Sequence, residues 1–407
     1  MSTDTCAASA ASAPRVAAPA PSLVPAAFLA LGTFAIGTEG FMIAPLLSTM
    51  AADFRMTVPQ VALLVVVFTL TLALSAPVST LLSARLPRRA TLLIAMALFA
   101  AGNLLAAWSP DFGVLMAARV VMAVASGLYV PNANALAGAI VAPVRRGRAL
   151  AIVSGGMTLA IALGLPLGGL VGHAFGWRAT FLAVGAMSLA AIAGILIGID
   201  RNAGAGIPVA TWSRRVAVLR QPAVVRLLSV SLFWSIGAYA AYPYIAAYLG
   251  SVLGYQAGGI NATVALWGLA AALGVTSGGA LNDRLGSRRV ARGSLVVLGV
   301  SFWLLALSTA LPPAVAVVPV LLGVAVWGFT VWSFFPAQMA RLIAAGETAQ
   351  APLALALNTS TMYLGFAIGS ALGAALLGHG MIWGIGLLAG AVEFVAVWLD
   401  RRALGRT

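Results

Sequence analysis

The sequence predicts an all-α membrane protein, with twelve transmembrane helices in two pseudo-symmetric six-helix bundles. Three observations predict it: an extreme composition, a series of long uncharged runs, and arginines gathered at the end of every second run. Of 407 residues, 62% are hydrophobic and 8% are charged, whereas a soluble domain carries charge on roughly a quarter of its positions. The runs do not alternate apolar with polar residues as the strands of a membrane β-barrel do. A continuous apolar stretch in lipid must satisfy its own backbone hydrogen bonds, and only a helix does so within one segment.

A helix needs about 20 apolar residues to cross a hydrocarbon layer of about 30 Å. Span 1 lies near Val24 to Ser48, and single spans follow in Met56 to Ala84, Ala90 to Pro110, Val120 to Val144, Ala149 to Gly172 and Ala179 to Ile199. Spans 7 and 8 share Leu227 to Asn282, spans 9 and 10 share Gly293 to Ala340, and spans 11 and 12 share Thr348 to Val392. Residues 1–23, rich in Ala, Ser and Pro, read as a disordered tail and do not fit a signal peptide, because the apolar stretch after them is too long. Cys6, the only cysteine, lies in that tail, so no internal disulfide is possible.

All 23 basic residues are arginine, and the formal charge of +14 would suit a nucleic-acid partner only if its distribution were ignored. Arginines follow spans 2, 4, 6, 8, 10 and 12, while Arg55 and Arg178 stand on the other side and Arg119 lies within span 4. By the positive-inside rule both termini and every even-to-odd connection are cytoplasmic. A multi-pass protein of a bacterial cytoplasmic (inner) membrane is expected, with lipid rather than nucleic acid around it.

The longest connection, Asp200 to Arg226, divides the chain into six spans and six spans. The expected units are a tail (1–23), a first bundle (24–199), a cytoplasmic linker (200–224), a second bundle (225–399) and a C-terminal tail (400–407). Leu82 to Arg89 and Leu281 to Arg289 are similar stretches about 200 residues apart, an internal repeat of the kind that marks duplicated architectures. Two parallel halves about an axis along the membrane normal place a binding site between them, and rocking alternates its access.

Charged groups inside a bilayer are functional suspects by default. Glu39 lies about 22 Å from the cytoplasmic edge of span 1, and Arg119 about 10 Å from the outer edge of span 4, at 1.5 Å per residue. In a layer of about 30 Å these depths nearly coincide, so the two side chains are expected to face one another or share a water. A carboxyl that burial and a nearby Arg push in opposite directions can load and release a proton as the separation changes. The alternative is a fixed structural ion pair, or an Arg119 bonded to helix carbonyls that holds the span geometry. Glu393, about 13 residues into span 12, is read as a side chain that snorkels to the cytoplasmic interface.

Uncharged polar and aromatic residues within spans are the candidates for a substrate cavity: Tyr129, Asn132 and Asn134 in span 4, Trp234, Tyr239 and Tyr242 in span 7, and Asn358 and Thr361 in span 11. Tyr244 and Tyr248 read as an interfacial belt. Gly164, Gly168 and Gly172 recur on one face of span 5 with Gly169 beside them, allowing another helix close approach, either as a gating contact between halves or as ordinary helix packing, while Pro166 bends the span. No phosphate-binding loop and no Cys/His cluster occur, and the two histidines, His173 and His379, fall at outer helix ends. Neither an enzyme nor a cofactor or metal is expected.

The segment Gly279-Ala280-Leu281-Asn282-Asp283-Arg284-Leu285-Gly286-Ser287-Arg288-Arg289 resembles the loop signature of the major facilitator superfamily, and more narrowly of its twelve-span drug:proton antiporter group. The resemblance implies a cytoplasmic latch using Gly279, Asp283, Arg284, Gly286 and Arg288, with Arg85 in the first half. The first-half copy departs from the signature, with Thr80, Ala84 and Pro87 at the Gly, Asp and Gly positions. Arg119 with Gly127 resembles the group's second motif, and Gly164-Leu165-Pro166-Leu167-Gly168-Gly169 the motif associated with exporters. Gly37 to Leu47 and Gly176 to Phe181 look like the branch of sugar, nucleoside and chloramphenicol exporters. Covering residues 24 to 400, the resemblance implies a monomeric antiporter exchanging protons for a small organic molecule. Uptake of a metabolite on the same fold and a non-transporting membrane receptor are the alternatives.

Overall fold

A computed structural model describes residues 23–83, 86–201, 203, 217–345 and 351–402. They form helices and connecting turns, with no strand among the described residues. Among the described residues, twelve helical segments are long and apolar enough to cross a membrane: Val24–Phe54, Val58–Ser79, Arg88–Ala107, Phe112–Ala139, Arg146–Phe175, Trp177–Gly198, Pro222–Leu253, Ala257–Leu285, Ser287–Ser308, Pro313–Ala345, Leu353–Gly378 and Ile382–Arg402. These are spans 1 to 12. Cys6, Arg85, the tail apart from Leu23 and most of the connection after Asp200 lie outside the described residues.

Local chemistry sets several boundaries. Span 2 starts with a capping box, in which Thr57 and Gln60 satisfy each other's backbone N–H, and Asp111 caps span 4 by accepting from the Val114 N–H at 2.9 Å. Spans 1 and 7 both break into a short 3₁₀ turn, at Ala44–Leu46 around Pro45 and at Tyr242–Tyr244 around Pro243. Proline offers no backbone N–H and crowds the preceding turn, so the helix tightens locally at each. In span 5 a π-helical stretch, Ala160–Gly164, directly precedes Pro166, its wider turn relieving the crowding that an α-turn would impose.

Each bundle is built on the same glycine seam. Gly164, Gly168 and Gly172 of span 5 lie against Thr38, Met42 and Leu46 of span 1. Gly365, Gly369 and Gly373 of span 11 lie against Ser235, Ile236 and Ala240 of span 7. Lipid supplies no hydrophobic drive between helices, so small residues that let backbones touch and gather dispersion contacts provide the adhesion. Of the two readings of the span-5 glycines, helix packing within the first bundle is the one these contacts fit. Only Gly169 faces the other bundle, at Asn261 of span 8, where Gly268 in turn sits over the Ile161 carbonyl.

Polar ties close the bundle ends. On the arginine-rich face Asp400 of span 12, wholly buried, pairs with Arg292 of span 9 and Arg341 of span 10. Arg341 also donates to Gln338, whose amide reaches the Leu227 carbonyl at 2.8 Å and Ser231 at 3.0 Å on span 7. On the opposite face Asp53 accepts from Arg178 and, at 3.0 Å, from the Trp177 indole. Gly286, which joins spans 8 and 9, has φ +85°, a conformation open to glycine at little cost.

The seam makes a direct prediction. A Cβ at Gly369 would press on the Ile236 carbonyl and stand 2.9 Å from the Ala240 nitrogen, whereas one at Gly155 would meet nothing within 4 Å. Gly369→Ala should cost about 1–3 kcal/mol by overpacking and lower the midpoint of thermal unfolding in detergent, with Gly155→Ala leaving it unchanged or slightly higher.

Candidate coupling and substrate site

Glu39 comes one turn before the break in span 1, and Arg119 stands in the first third of span 4. The structure places them in a direct ion pair, with 0% and 1% of their side chains exposed. An isolated charge in such a medium is prohibitively costly, and the opposite charge in contact is what makes either tolerable. Arg119 is further held by span 2: its Nε donates to the Leu64 carbonyl at 3.3 Å, and its guanidinium lies 4.1 Å from the centre of the Phe68 ring. Glu39 Oε2 is buried without a hydrogen-bond partner. Three spans of the first bundle thus converge on one charge pair.

Beside it lies a narrow aromatic cavity. Phe41, two residues beyond Glu39, enters from span 1, and the second bundle supplies Trp234, Ala238, Tyr239, Tyr242, Trp267, Trp327, Val331, Trp332 and Phe366. Tyr239 stacks on Phe366 with centroids 3.6 Å apart, and Tyr242 lies 4.8 Å from Trp267 and 5.7 Å from Phe41. Tyr239 of the lining is a neighbour of Arg119. The free space is about 10 Å³, room for a single water at most. The indole N–H groups of Trp234, Trp267 and Trp327 are buried without an acceptor, although buried donors are nearly always paired.

Of the residues that sequence reading places in a cavity, Trp234, Tyr239 and Tyr242 line this one. The others are elsewhere. Tyr129 covers Gly32 and donates to the Leu29 carbonyl at 3.1 Å, fastening span 4 to span 1. Asn132 accepts from Arg88 at the arginine-rich end, and Asn134 bonds to the Val130 carbonyl of its own helix. Asn358 is buried against Met339 of span 10, and Thr361 is half-buried outside the lining. Tyr244 is 1% exposed with its hydroxyl on the Ser370 carbonyl, so it belongs to the core and not to a belt. Phe41, Trp267, Trp327, Trp332 and Phe366 were not singled out from sequence. Tryptophans favour the membrane interfaces, so their mid-span position was the available signal.

Glu393 corrects the expectation more sharply. Its side chain is fully buried and neither carboxyl oxygen has a hydrogen-bond partner, so it does not snorkel. The direction in which a residue leaves its helix, which depth along the span does not give, decides its surroundings.

The two bundles are joined on the arginine-poor face. Tyr242 donates to the Phe41 carbonyl at 2.9 Å, and Asn261 lies 3.2 Å from the His173 ring nitrogen that also approaches the Gly169 carbonyl. On the arginine-rich face Asp283, Arg284 and Arg288 are exposed, and none forms an ion pair among the described residues. Gly279 has open space around it. The expected latch is therefore not assembled here, and Arg85 lies outside the described residues.

Comparison with known proteins agrees with this architecture. Residues 29–351 match the sequence profile of the Major Facilitator Superfamily. The MFS-type transporter YbcL of Bacillus subtilis is 31% identical over 85% of this chain and 86% of its own length. The chloramphenicol resistance protein of Streptomyces lividans is 31% identical over 92% of this chain and 95% of its own. The solved structure of a point mutant of the nucleoside transporter NupG superposes with TM-score 0.74, covering 94% of this chain and all of that one, at 11% identity; that likeness speaks for the fold alone. The chain belongs to the Major Facilitator Superfamily of membrane transporters.

Removing one member of a buried ion pair costs about 3–5 kcal/mol, because the other charge is stranded, whereas neutralising both together is far milder. Arg119→Leu should accordingly lower thermal stability in detergent more than the double change Glu39→Gln/Arg119→Leu. Equal destabilisation by the two would show that the pair carries no such charge penalty.

Proposed function

We propose that this member of the superfamily is a proton-coupled antiporter, exporting a small, flat, amphipathic organic molecule by alternating access. The observation that carries the reading is the buried Glu39–Arg119 pair next to an aromatic cavity, whose lining includes Phe41, two residues beyond Glu39, and Tyr239, a neighbour of Arg119. On this reading the arginine-rich face and both termini are cytoplasmic, by the positive-inside rule, in the cytoplasmic membrane of a bacterium.

The cycle follows from charge. With Glu39 ionised the pair is closed and Arg119 neutralised. A proton arriving at Glu39 removes the attraction, frees the guanidinium toward Tyr239 and the cavity, and lets span 1 move relative to span 4. Deprotonation toward the cytoplasm restores the pair. A substrate that separates Phe41 from the second-bundle rings competes with the contacts holding the cavity shut, so substrate and proton favour different states. Differential affinity of this kind is what couples one flux to the other.

The lining favours aromatic or conjugated solutes that stack on rings and accept hydrogen bonds from unpaired indole N–H groups. Support for export comes from the similarity to the chloramphenicol resistance protein. Asp283, Arg284 and Arg288, with the turn at Gly286, are proposed to latch the cytoplasmic side when the opposite seal opens. The units proposed for this motion are 24–199 and 225–399.

A substrate panel including chloramphenicol, assayed in everted vesicles, tests the reading. Accumulation should collapse when the pH gradient is dissipated, and Glu39→Gln should reduce gradient-driven accumulation at least about tenfold, equivalent to about 1.4 kcal/mol of lost coupling, while substrate exchange without a gradient persists. Undiminished gradient-driven transport by Glu39→Gln would remove Glu39 from the mechanism. The seal is checked separately: in a Cys6→Ser background carrying Ala238→Cys, Tyr242→Phe removes a hydrogen bond of about 1 kcal/mol and should speed labelling by an impermeant maleimide roughly fivefold.

A further inference from the structure

The reading above uses one buried carboxyl, and the structure holds another in the opposite bundle. Glu393 of span 12 is 0% exposed, and both its oxygens lack hydrogen-bond partners. Its environment differs from that of the other buried acids. Glu39 touches Arg119, and Asp400 has Arg292 and Arg341. Glu393 has no cation in contact among the described residues.

The helices around it have left it space. A Cβ at Gly237 of span 7 would stand 2.6 Å from Glu393 Oε1, and one at Gly299 of span 9 would stand 3.4 Å from the Glu393 Cβ. Span 7 carries no charged residue after Arg226, and span 9 carries none after Arg292. The charged groups nearest along this face are Asp400, two turns further on the same side of span 12, with Arg292 and Arg341, and these three satisfy one another. An ionised carboxylate at Glu393 would have no counter-charge, whereas the neutral acid needs none.

Its position is related to the first bundle by the internal repeat. The offset that carries Pro45 to Pro243, the prolines of the two matching 3₁₀ turns, carries Glu39 to Gly237. The carboxyl absent from span 7 at that level is supplied by span 12, lodged against the glycine. Gly237 lies between Trp234 and Ala238, which line the cavity on the other side of the same helix. Glu393 and the cavity-lining Trp234 and Ala238 thus belong to the surroundings of the same turn of span 7.

We propose that Glu393 is a second proton-carrying group, so that each bundle holds one acid at the level of the cavity. In the conformation described here it is the neutral carboxylic acid. When span 7 moves from span 12 and water enters beside Gly237, the acid O–H gives its proton to that water and the carboxylate remains; the reverse transfer from hydronium restores it. The inference rests on the proton-coupled reading of the transporter.

Two measurements on purified full-length protein test it. Infrared difference spectra for a pH jump, with no substrate present, should show a carboxylic-acid C=O band that Glu393→Gln abolishes, Glu393→Asp shifts and Glu39→Gln leaves in place. In proteoliposomes, the number of protons exchanged per molecule of the compound identified by the vesicle panel should fall by about half in Glu393→Gln, the expected result of losing one of two carriers. A wild-type protein without any dependence on the pH gradient would defeat the antiport reading itself. Gradient-driven transport with an unchanged proton ratio in Glu393→Gln, or spectra identical to wild type, would overturn the role of Glu393 alone. Should Glu393→Gln fail to fold, Glu393→Asp carries the test, since an unshifted band in it has the same meaning.

Discussion

The cost of placing charge in hydrocarbon organises this protein. A carboxylate and a guanidinium within the spans can persist only in contact, and the contact between Glu39 and Arg119 fixes how spans 1 and 4 meet. Span 2 is drawn into the same arrangement by the Leu64 carbonyl and the Phe68 ring. Around this point the rest of the first bundle can be apolar, because glycine seams supply close packing without further polar groups. The second bundle meets the same constraint differently: its ion cluster sits at the arginine-rich end, around Asp400, and leaves the centre to aromatic rings.

The asymmetry between the halves is chemically useful. Around the cavity the charge pair comes from the first bundle and most of the ring surface from the second, and on the proposed reading the substrate binds where they touch. Phe41 belongs to the charged half but packs with the rings of the other, its carbonyl tied to Tyr242. On that reading, a solute entering there would disturb an aromatic contact and a charge pair within a few residues of each other on span 1.

The fold was legible in the sequence because each span sums evidence over some twenty residues and because arginine placement repeats at every second one. The meeting of Glu39 with Arg119 was legible for a related reason: depth follows from counting along a helix, and two opposite charges at one depth have few other ways to be accommodated. The cavity was less so. Whether Tyr129 or Tyr239 faces it depends on the rotation of a helix about its axis, and Tyr129 spends its hydroxyl on a backbone carbonyl of span 1 that no pattern of side chains reveals. Asn132 was misplaced for the same reason, its partner being Arg88 from another span. The mid-span tryptophans carried a signal, since they depart from the usual interfacial preference, and three of them line the cavity without appearing among the sequence candidates.

The near absence of free space among the rings bears on what the protein does when nothing is bound. Tyr239, Phe366, Trp267 and their neighbours occupy the volume a solute would need. A carrier whose vacant centre folds down onto its own side chains leaves no column of water along which ions could short-circuit the membrane. On the proposed reading, insulation and recognition are performed by the same surfaces at different moments.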